Sequence, residues 1–319
     1  MTEMIAQRIT FGETLVELAD RDPRVVVLDG DLGTSTRADI FAEAYPDRFF
    51  QMGLAEQNMF GVAAGLATLG FVPFISTFAC FSAKRALDQI RIVIAQTKLN
   101  VKFIGGYSGI LTGKTGKTHQ AVQDIAVFRA MPNIVSIAPM DGIEVRKSMH
   151  AILAYDGPVY LRLTRDPCPV IFDEEYRFVI GKAVVLREGN DVTLIGTGQQ
   201  SQRCLEAADI LAEEGLQAYV LHVPTLKPLD EEAIVQAAMR SGLVVTAEDH
   251  SIIGGLGGAV AEVLGEQCPL PMKRVGLRDT FGESGPNEAL LEKFGLTARH
   301  VAQAARDILM SRPKHSSWR

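Results

Sequence analysis

Residues 56–82, EQNMFGVAAGLATLGFVPFISTFACFS, carry no charge after Glu56. A membrane span needs about 20 predominantly apolar residues. This run is broken by Gly61, Gly65, Gly70 and Pro73, and it holds Ser76 and Thr77. It therefore reads as a buried helix, Glu56–Leu69, turning at Gly70 into a buried strand, Val72–Ser76. A strand that is apolar on both faces belongs to a parallel sheet covered on both sides, and a helix running into it is part of a βαβ unit. No membrane association is expected.

The same alternation extends outward from this stretch. Arg24–Asp29, Val101–Gly105, Asn133–Ala138 and Val159–Leu163 are short, apolar and mostly β-branched. Between them Thr10–Ala19, Ala83–Gln96, Val122–Arg129 and Gly142–Leu153 have helical spacing. The rhythm stops at 166–190, where Pro167, Pro169 and the charged run Asp173–Arg177 mark a linker. A second unit follows, with strands expected at Val192–Gly196, Ala218–Val223, Leu243–Ala247 and Met272–Gly276. Its helices are expected at Ser201–Glu214, Glu231–Met239, Gly257–Leu264, Asn287–Phe294 and Ala298–Met310. The fold class is α/β, with two doubly wound domains over 1–165 and 191–319 and mainly parallel sheet. The basic tail Arg312–Arg319 reads as a frayed end.

Composition agrees with this layout. At roughly 150 residues per domain, the 319 residues suit two domains. Hydrophobic residues at 47% and charged residues at 22% are those of a globular chain. Lys and Arg number 32 against 38 Asp and Glu, and the net charge of −6 argues against a chain that binds nucleic-acid phosphates. Cys80, Cys168, Cys204 and Cys268 show no CxxC spacing, so neither a disulfide framework nor a zinc knuckle is expected. The opening MTEMIAQRIT lacks a basic segment followed by an apolar stretch. A cytoplasmic location is expected.

Several residues could carry chemistry. Asp29-Gly-Asp-Leu-Gly33 follows a strand, where α/β sheets bind ligands, but it is not a GxGxxG fingerprint. Gly113-Lys-Thr-Gly-Lys-Thr118 is either an anion-binding loop or a solvated one. Glu56 is either an acid placed at a helix N-terminus by the macrodipole or a semi-buried carboxyl with tuned protonation. His119, at the end of the glycine-rich loop, is a candidate general acid or base, although a lone His is more often a surface residue. Phe78 and Phe81 are spaced i, i+3 at the expected start of a helix, which suits core packing or a platform for a flat ring. No Ser/His/Asp set and no metal-spaced cluster stands out.

Taken in order, Gly53-Leu-Ala-Glu-Gln-Asn-Met59 with GVAAGLA, then Ser76-Thr-Phe-Ala-Cys-Phe81, then Thr118-His-Gln120, resemble transketolase. Leu163-Thr-Arg165, Glu248–Gly257 (EDHSIIGGLG) and Asp279–Ser284 (DTFGES) extend the resemblance over nearly the whole chain. It implies a pyrimidine-binding domain followed by a transketolase C-terminal domain, and thiamine diphosphate as cofactor. In this family a glutamate hydrogen-bonds N1′ of the aminopyrimidine and favours its imino form; Glu56 matches it. Phe78 and Phe81 match the residues that pack the pyrimidine, and Asp31 matches an acid near the cofactor. His119 matches a substrate-site histidine that transfers protons at sugar hydroxyls, while Arg8, Ser35 and Arg165 match residues that hold the sugar phosphate. The family's Mg²⁺ and diphosphate motif, Gly-Asp-Gly ending in Asn, is absent, because Gly30-Asp31 is followed by Leu32. The resemblance thus implies the C-terminal subunit of a split transketolase. Its partner would be an N-terminal subunit carrying the diphosphate and Mg²⁺, the two associating as a heterotetramer.

The departures bear on the substrate. Tyr107 stands where the family has a substrate-reading His, Thr115 where it has an Asp, and Lys114 and Lys117 replace Glu and Pro. Lys84 stands where a tyrosine is usual. Losing a carboxylate and gaining lysines points to the same two-carbon chemistry on an altered sugar. A branched sugar such as apulose 4-phosphate, or a sulfonated one, fits that description. Competing readings are a 1-deoxyxylulose 5-phosphate synthase-like chain, the beta subunit of a 2-oxo-acid dehydrogenase, and a non-catalytic assembly protein.

Overall fold

The computed structural model describes residues 3–311; the tail Arg312–Arg319 lies outside the described residues. Fourteen strands are described. In chain order the first seven are β1 (Met4–Ala6), β2 (Val25–Asp29), β3 (Phe49–Gln51), β4 (Val72–Phe78), β5 (Lys102–Gly106), β6 (Val135–Ile137) and β7 (Val159–Arg162). They continue with β8 (Pro167–Pro169), β9 (Val184–Arg187), β10 (Val192–Gly196), β11 (Ala218–His222), β12 (Thr225–Lys227), β13 (Val244–Ser251) and β14 (Met272–Leu277).

The first sheet runs β12-β6-β7-β5-β4-β2-β3, parallel throughout except where β12 pairs antiparallel with β6. Every residue of β2 and β4 is buried, because helices cover both faces. On one side Met59, Phe60 and Ala63 of the helix Glu56–Thr68 pack with Phe81, Ile90 and Phe128. On the other, Phe11, Leu15 and Leu18 of the helix Gln7–Arg21 pack with Val145, Met149 and Ile152 of the helix Gly142–Ala154. From β2 the chain moves outward to the edge strand β3, then returns past β2 to β4. Neighbouring strands whose connections diverge leave a crevice beyond their carboxyl ends, and β2 and β4 end at Asp29 and Phe78.

The second sheet runs β14-β13-β10-β11-β9, with β9 antiparallel to β11. The helices Gln200–Glu213 and Ala298–Met310 cover one face, and Glu231–Ser241 and Leu256–Gln267 the other. The molecule is thus α/β with two parallel-rich, doubly wound units.

Three expectations need correction. Segment 166–190 is not simply a connection: β8 pairs with β1, and β9 is an edge strand of the second sheet. The second unit also lends β12 to the edge of the first sheet. Residues 83–96 do not form one α-helix. A turn at Ala83–Ala86 leads into a short helical turn, Leu87–Gln89, which widens into a π-helix over Ile90–Ala95. Finally, β4 extends through Phe78, so Phe78 and Phe81 do not share a helix.

Candidate active site

Asp29 closes β2 with no exposed surface. Its Oδ2 accepts from the Leu32 and Gly33 N–H groups at 2.9 and 3.0 Å and from Gln51 Nε2 at 2.9 Å. Burial pushes this carboxyl above the usual range, against those three donors. The turn it holds sets Asp31 at φ +62°, its N–H donating to Gln51 Oε1 at 3.0 Å. Asp31 is exposed, and among the described residues its side chain makes no hydrogen bond or ion pair with another candidate.

Glu56 is 3% exposed although it opens its helix. Its Oε1 accepts from Arg85 Nη1 at 2.9 Å, while Oε2 has no partner among the described residues. Glu56 and Arg85 line a cavity of about 360 Å³ with Leu54, Ala55, Gln57 and Asn58. Sequence reasoning missed Arg85. The available signal is its place, with Lys84, as the first charge to follow the uncharged run.

Aromatic rings continue from this carboxyl. The Arg85 guanidinium lies 4.0 Å over the Phe81 ring, and Phe81 stacks on Phe78 with centroids 5.6 Å apart at 25°. Phe78 stacks more closely on Tyr107, at 4.1 Å and 18°. His119 stands edge-on to Phe81 at 5.4 Å and to Phe78 at 6.0 Å, half-buried, with Nδ1 bonded to Thr118 Oγ1 at 2.9 Å. Tyr107 holds φ +56°, a backbone region that bulky residues enter only when the surroundings enforce it.

The residues matched to a sugar phosphate also meet. The Arg165 guanidinium lies 5.5 Å over the Tyr107 ring. Arg8 joins the other two, donating through Nε to the Arg165 carbonyl at 3.1 Å and through Nη1 to the Ser35 carbonyl at 2.9 Å. Arg165 Nε is buried without a partner. One continuous line of contacts therefore runs Glu56, Arg85, Phe81, Phe78 with His119, Tyr107, Arg165, Arg8, Ser35. Thr115 is not on it: exposed, it bonds Thr112 within the loop. Lys114 lines a cavity of about 450 Å³ with Arg203, Asn287 and Arg165, the last of which is also on this line.

The second unit holds the loop 107–120 in place. Asp249 accepts from the Ile110 N–H at 3.1 Å, and Asn287 donates to the Leu111 carbonyl at 3.1 Å. Gln120 donates to both the Ile110 and Glu283 carbonyls. Gly109 is required at this junction, since a Cβ there would stand 1.8 Å from Asp249 Oδ2 and φ is +69°. The motifs at 248–257 and 279–284 thus support the loop that carries His119. Among the described residues no group of three or more His, Cys, Asp or Glu is arranged to hold a metal, and no helix is long and apolar enough to cross a membrane.

Residues 3–169 match the transketolase pyrimidine-binding domain, and residues 181–301 match the transketolase C-terminal domain. The chain belongs to the transketolase family. Similar proteins include the 6-deoxy-6-sulfo-D-fructose transketolase subunit SqwH of Clostridium sp. (strain MSTE9), 46% identical over 94% of each chain. An apulose-4-phosphate transketolase subunit of Phocaeicola vulgatus is 36% identical over 95% of this chain and 97% of its own. A solved structure described as a split gene transketolase, inactive beta4 tetramer, superposes with a TM-score of 0.90 at 48% identity, over 96% of this chain and 99% of that one. Membership of the transketolase family implies a thiamine diphosphate-dependent transferase.

Proposed function

We propose that this chain is the C-terminal subunit of a two-subunit transketolase that moves a two-carbon ketol unit from a ketose to an aldose phosphate. The observation that carries the reading is Glu56, a buried carboxyl with one oxygen open, beside a wall of stacked rings at the carboxyl end of β4. These residues fit a flat aminopyrimidine: Glu56 for a ring nitrogen, Phe81 and Phe78 for its face. Thiamine diphosphate supplies, when bound, a nucleophilic thiazolium carbon and an electron sink for the transferred unit.

The chain's own residues do the rest. Glu56, buried and with Oε2 open, would share a proton with N1′ of the pyrimidine. Asp31 follows the end of β2, the strand beside β4, and keeps its proposed place near the cofactor. His119 holds or moves protons at the sugar hydroxyls. Arg165, with an unpartnered Nε, and the N–H groups of Arg8 left free by its carbonyl bonds bind the anionic end of the sugar, with Ser35 beside them. Mg²⁺ and the diphosphate belong to a partner N-terminal subunit, and the assembly is a heterotetramer.

The altered loop suggests an altered sugar. Tyr107 fills the wall where a histidine would read a hydroxyl, Thr115 brings no carboxylate, and Lys114 adds charge next to Arg165. Relatives named for a sulfonated ketose and for a branched sugar phosphate support a donor of that kind. The test is reconstitution. The purified chain alone should show no ketol transfer and should gain it with a diphosphate-domain subunit, thiamine diphosphate and Mg²⁺. Full activity from this polypeptide alone refutes the reading. Turnover of pyruvate in place of ketose would favour a deoxyxylulose phosphate synthase or dehydrogenase chemistry instead.

A further inference from the structure

The space between Glu56 and the Phe81 ring is filled by the chain itself. Arg85 donates an N–H to Glu56 Oε1 at 2.9 Å while its guanidinium carbon lies 4.0 Å over the centre of the Phe81 ring. A guanidinium is flat, carries in-plane N–H donors and stacks on aromatic faces. One contact on the ring face and one on the carboxylate edge are what an aminopyrimidine would make in the same place. The same face of Phe81 cannot hold both.

We infer that Arg85 is a built-in competitor of the pyrimidine, seated in its slot in the cofactor-free chain and displaced as the ring arrives. The inference rests on the reading of Glu56 and Phe81 as pyrimidine residues. Its parts are suited to that exchange. The Arg85 side chain is 52% exposed and can swing into water, whereas Glu56 is 3% exposed and stays. Gln57 Nε2 holds the Arg85 carbonyl at 3.1 Å, which confines the movement to the side chain. A buried carboxylate without a counter-charge is unfavourable, and Arg85 keeps Glu56 paired until the cofactor takes over.

The test is thiamine diphosphate binding to the complex reconstituted with the diphosphate-domain subunit and Mg²⁺, read by calorimetry and by the rate of association. Because an exposed ion pair and a cation–π contact are each modest, R85A should tighten binding by about fivefold and speed association. R85K keeps the charge without the plane and should fall between R85A and the wild type. Unchanged or weaker binding by both variants overturns the inference. F81A separates the two levels. If F81A weakens binding while R85A does not tighten it, Arg85 is not a competitor and the pyrimidine reading stands. If neither substitution alters binding, both ideas fall.

Discussion

Glu56→Gln, assembled with the diphosphate-domain subunit, is expected to bind thiamine diphosphate within about tenfold of the wild type and to lose roughly 10²–10⁴ in turnover, the range for removing a positioned acid-base group. Glutamine has nearly the same shape and keeps an oxygen to accept from Arg85, the contact now made at 2.9 Å. The helix start, the cavity and the stacked rings are therefore preserved. What is lost is a group able to give up and recover a proton at the pyrimidine nitrogen. Calorimetry for the cofactor and steady-state ketol transfer separate the two effects. Turnover within tenfold of the wild type would leave Glu56 as a helix-end acid favoured by the macrodipole, with no part in the reaction.

The contrast between what the sequence discloses and what it hides follows from range. Continuous β-branched runs in the middle of a sheet are unambiguous, so β10 has the expected bounds, and β2 differs by one residue. The strongly amphipathic helix Ala298–Met310 also has its expected bounds. Short edge strands carry no such signal. β1 and β8 are three residues each and exist because they pair with one another across more than 150 positions. β12 joins a sheet built by the other half of the chain, which no local pattern announces. The helical spacing after the uncharged run suggests one long helix from Ala83, yet the chain first turns at 83–86. That turn is what aims Arg85 back at Glu56.

The site shows the same division. Glu56, Phe78, Phe81 and His119 are recognisable as an ordered set of motifs, but their contact depends on β4 lying beside β2 and β5. The i, i+3 argument for Phe78 and Phe81 reaches a true contact by a wrong route, since the rings meet across a strand-to-helix turn. In the sequence Asp29 is only the polar end of a strand. The folded chain shows it collecting three donors to shape the turn that carries Asp31. Asp249 and Asn287 support the His119 loop from more than 130 residues away, which spacing alone does not reveal.

Asp124→Asn is expected to cost about 3–5 kcal/mol of stability, the usual consequence of removing one member of a buried charge pair. Asp124 begins the helix Asp124–Ala130 at 1% exposure, and its Oδ2 accepts from Tyr160 Oη at 2.6 Å and Arg162 Nε at 2.7 Å. Burial pushes its pKa up, but the Arg162 guanidinium and the Tyr160 hydroxyl overcome this and hold it below the usual carboxylate value. A folded pKa below the unfolded one means a contribution that is complete above about pH 4 and lost as acid carries the pH through the lower value. The gap between wild type and variant in urea unfolding should therefore be constant near neutrality and close in strong acid. A gap under about 1 kcal/mol at pH 7 would show that Arg162 finds its compensation elsewhere, against the value expected for a broken buried pair. Replacing Arg162 as well would not restore stability, because its Nη2 also donates to the Asp249 carbonyl at 2.7 Å and the Ala121 carbonyl at 3.3 Å. The buried Asp249 carbonyl would lose this donor, while the Ala121 carbonyl would keep the Gly109 N–H at 2.8 Å. The pair at the end of β7 thus joins the two units behind the His119 loop, and its loss should loosen that loop before it unfolds either sheet.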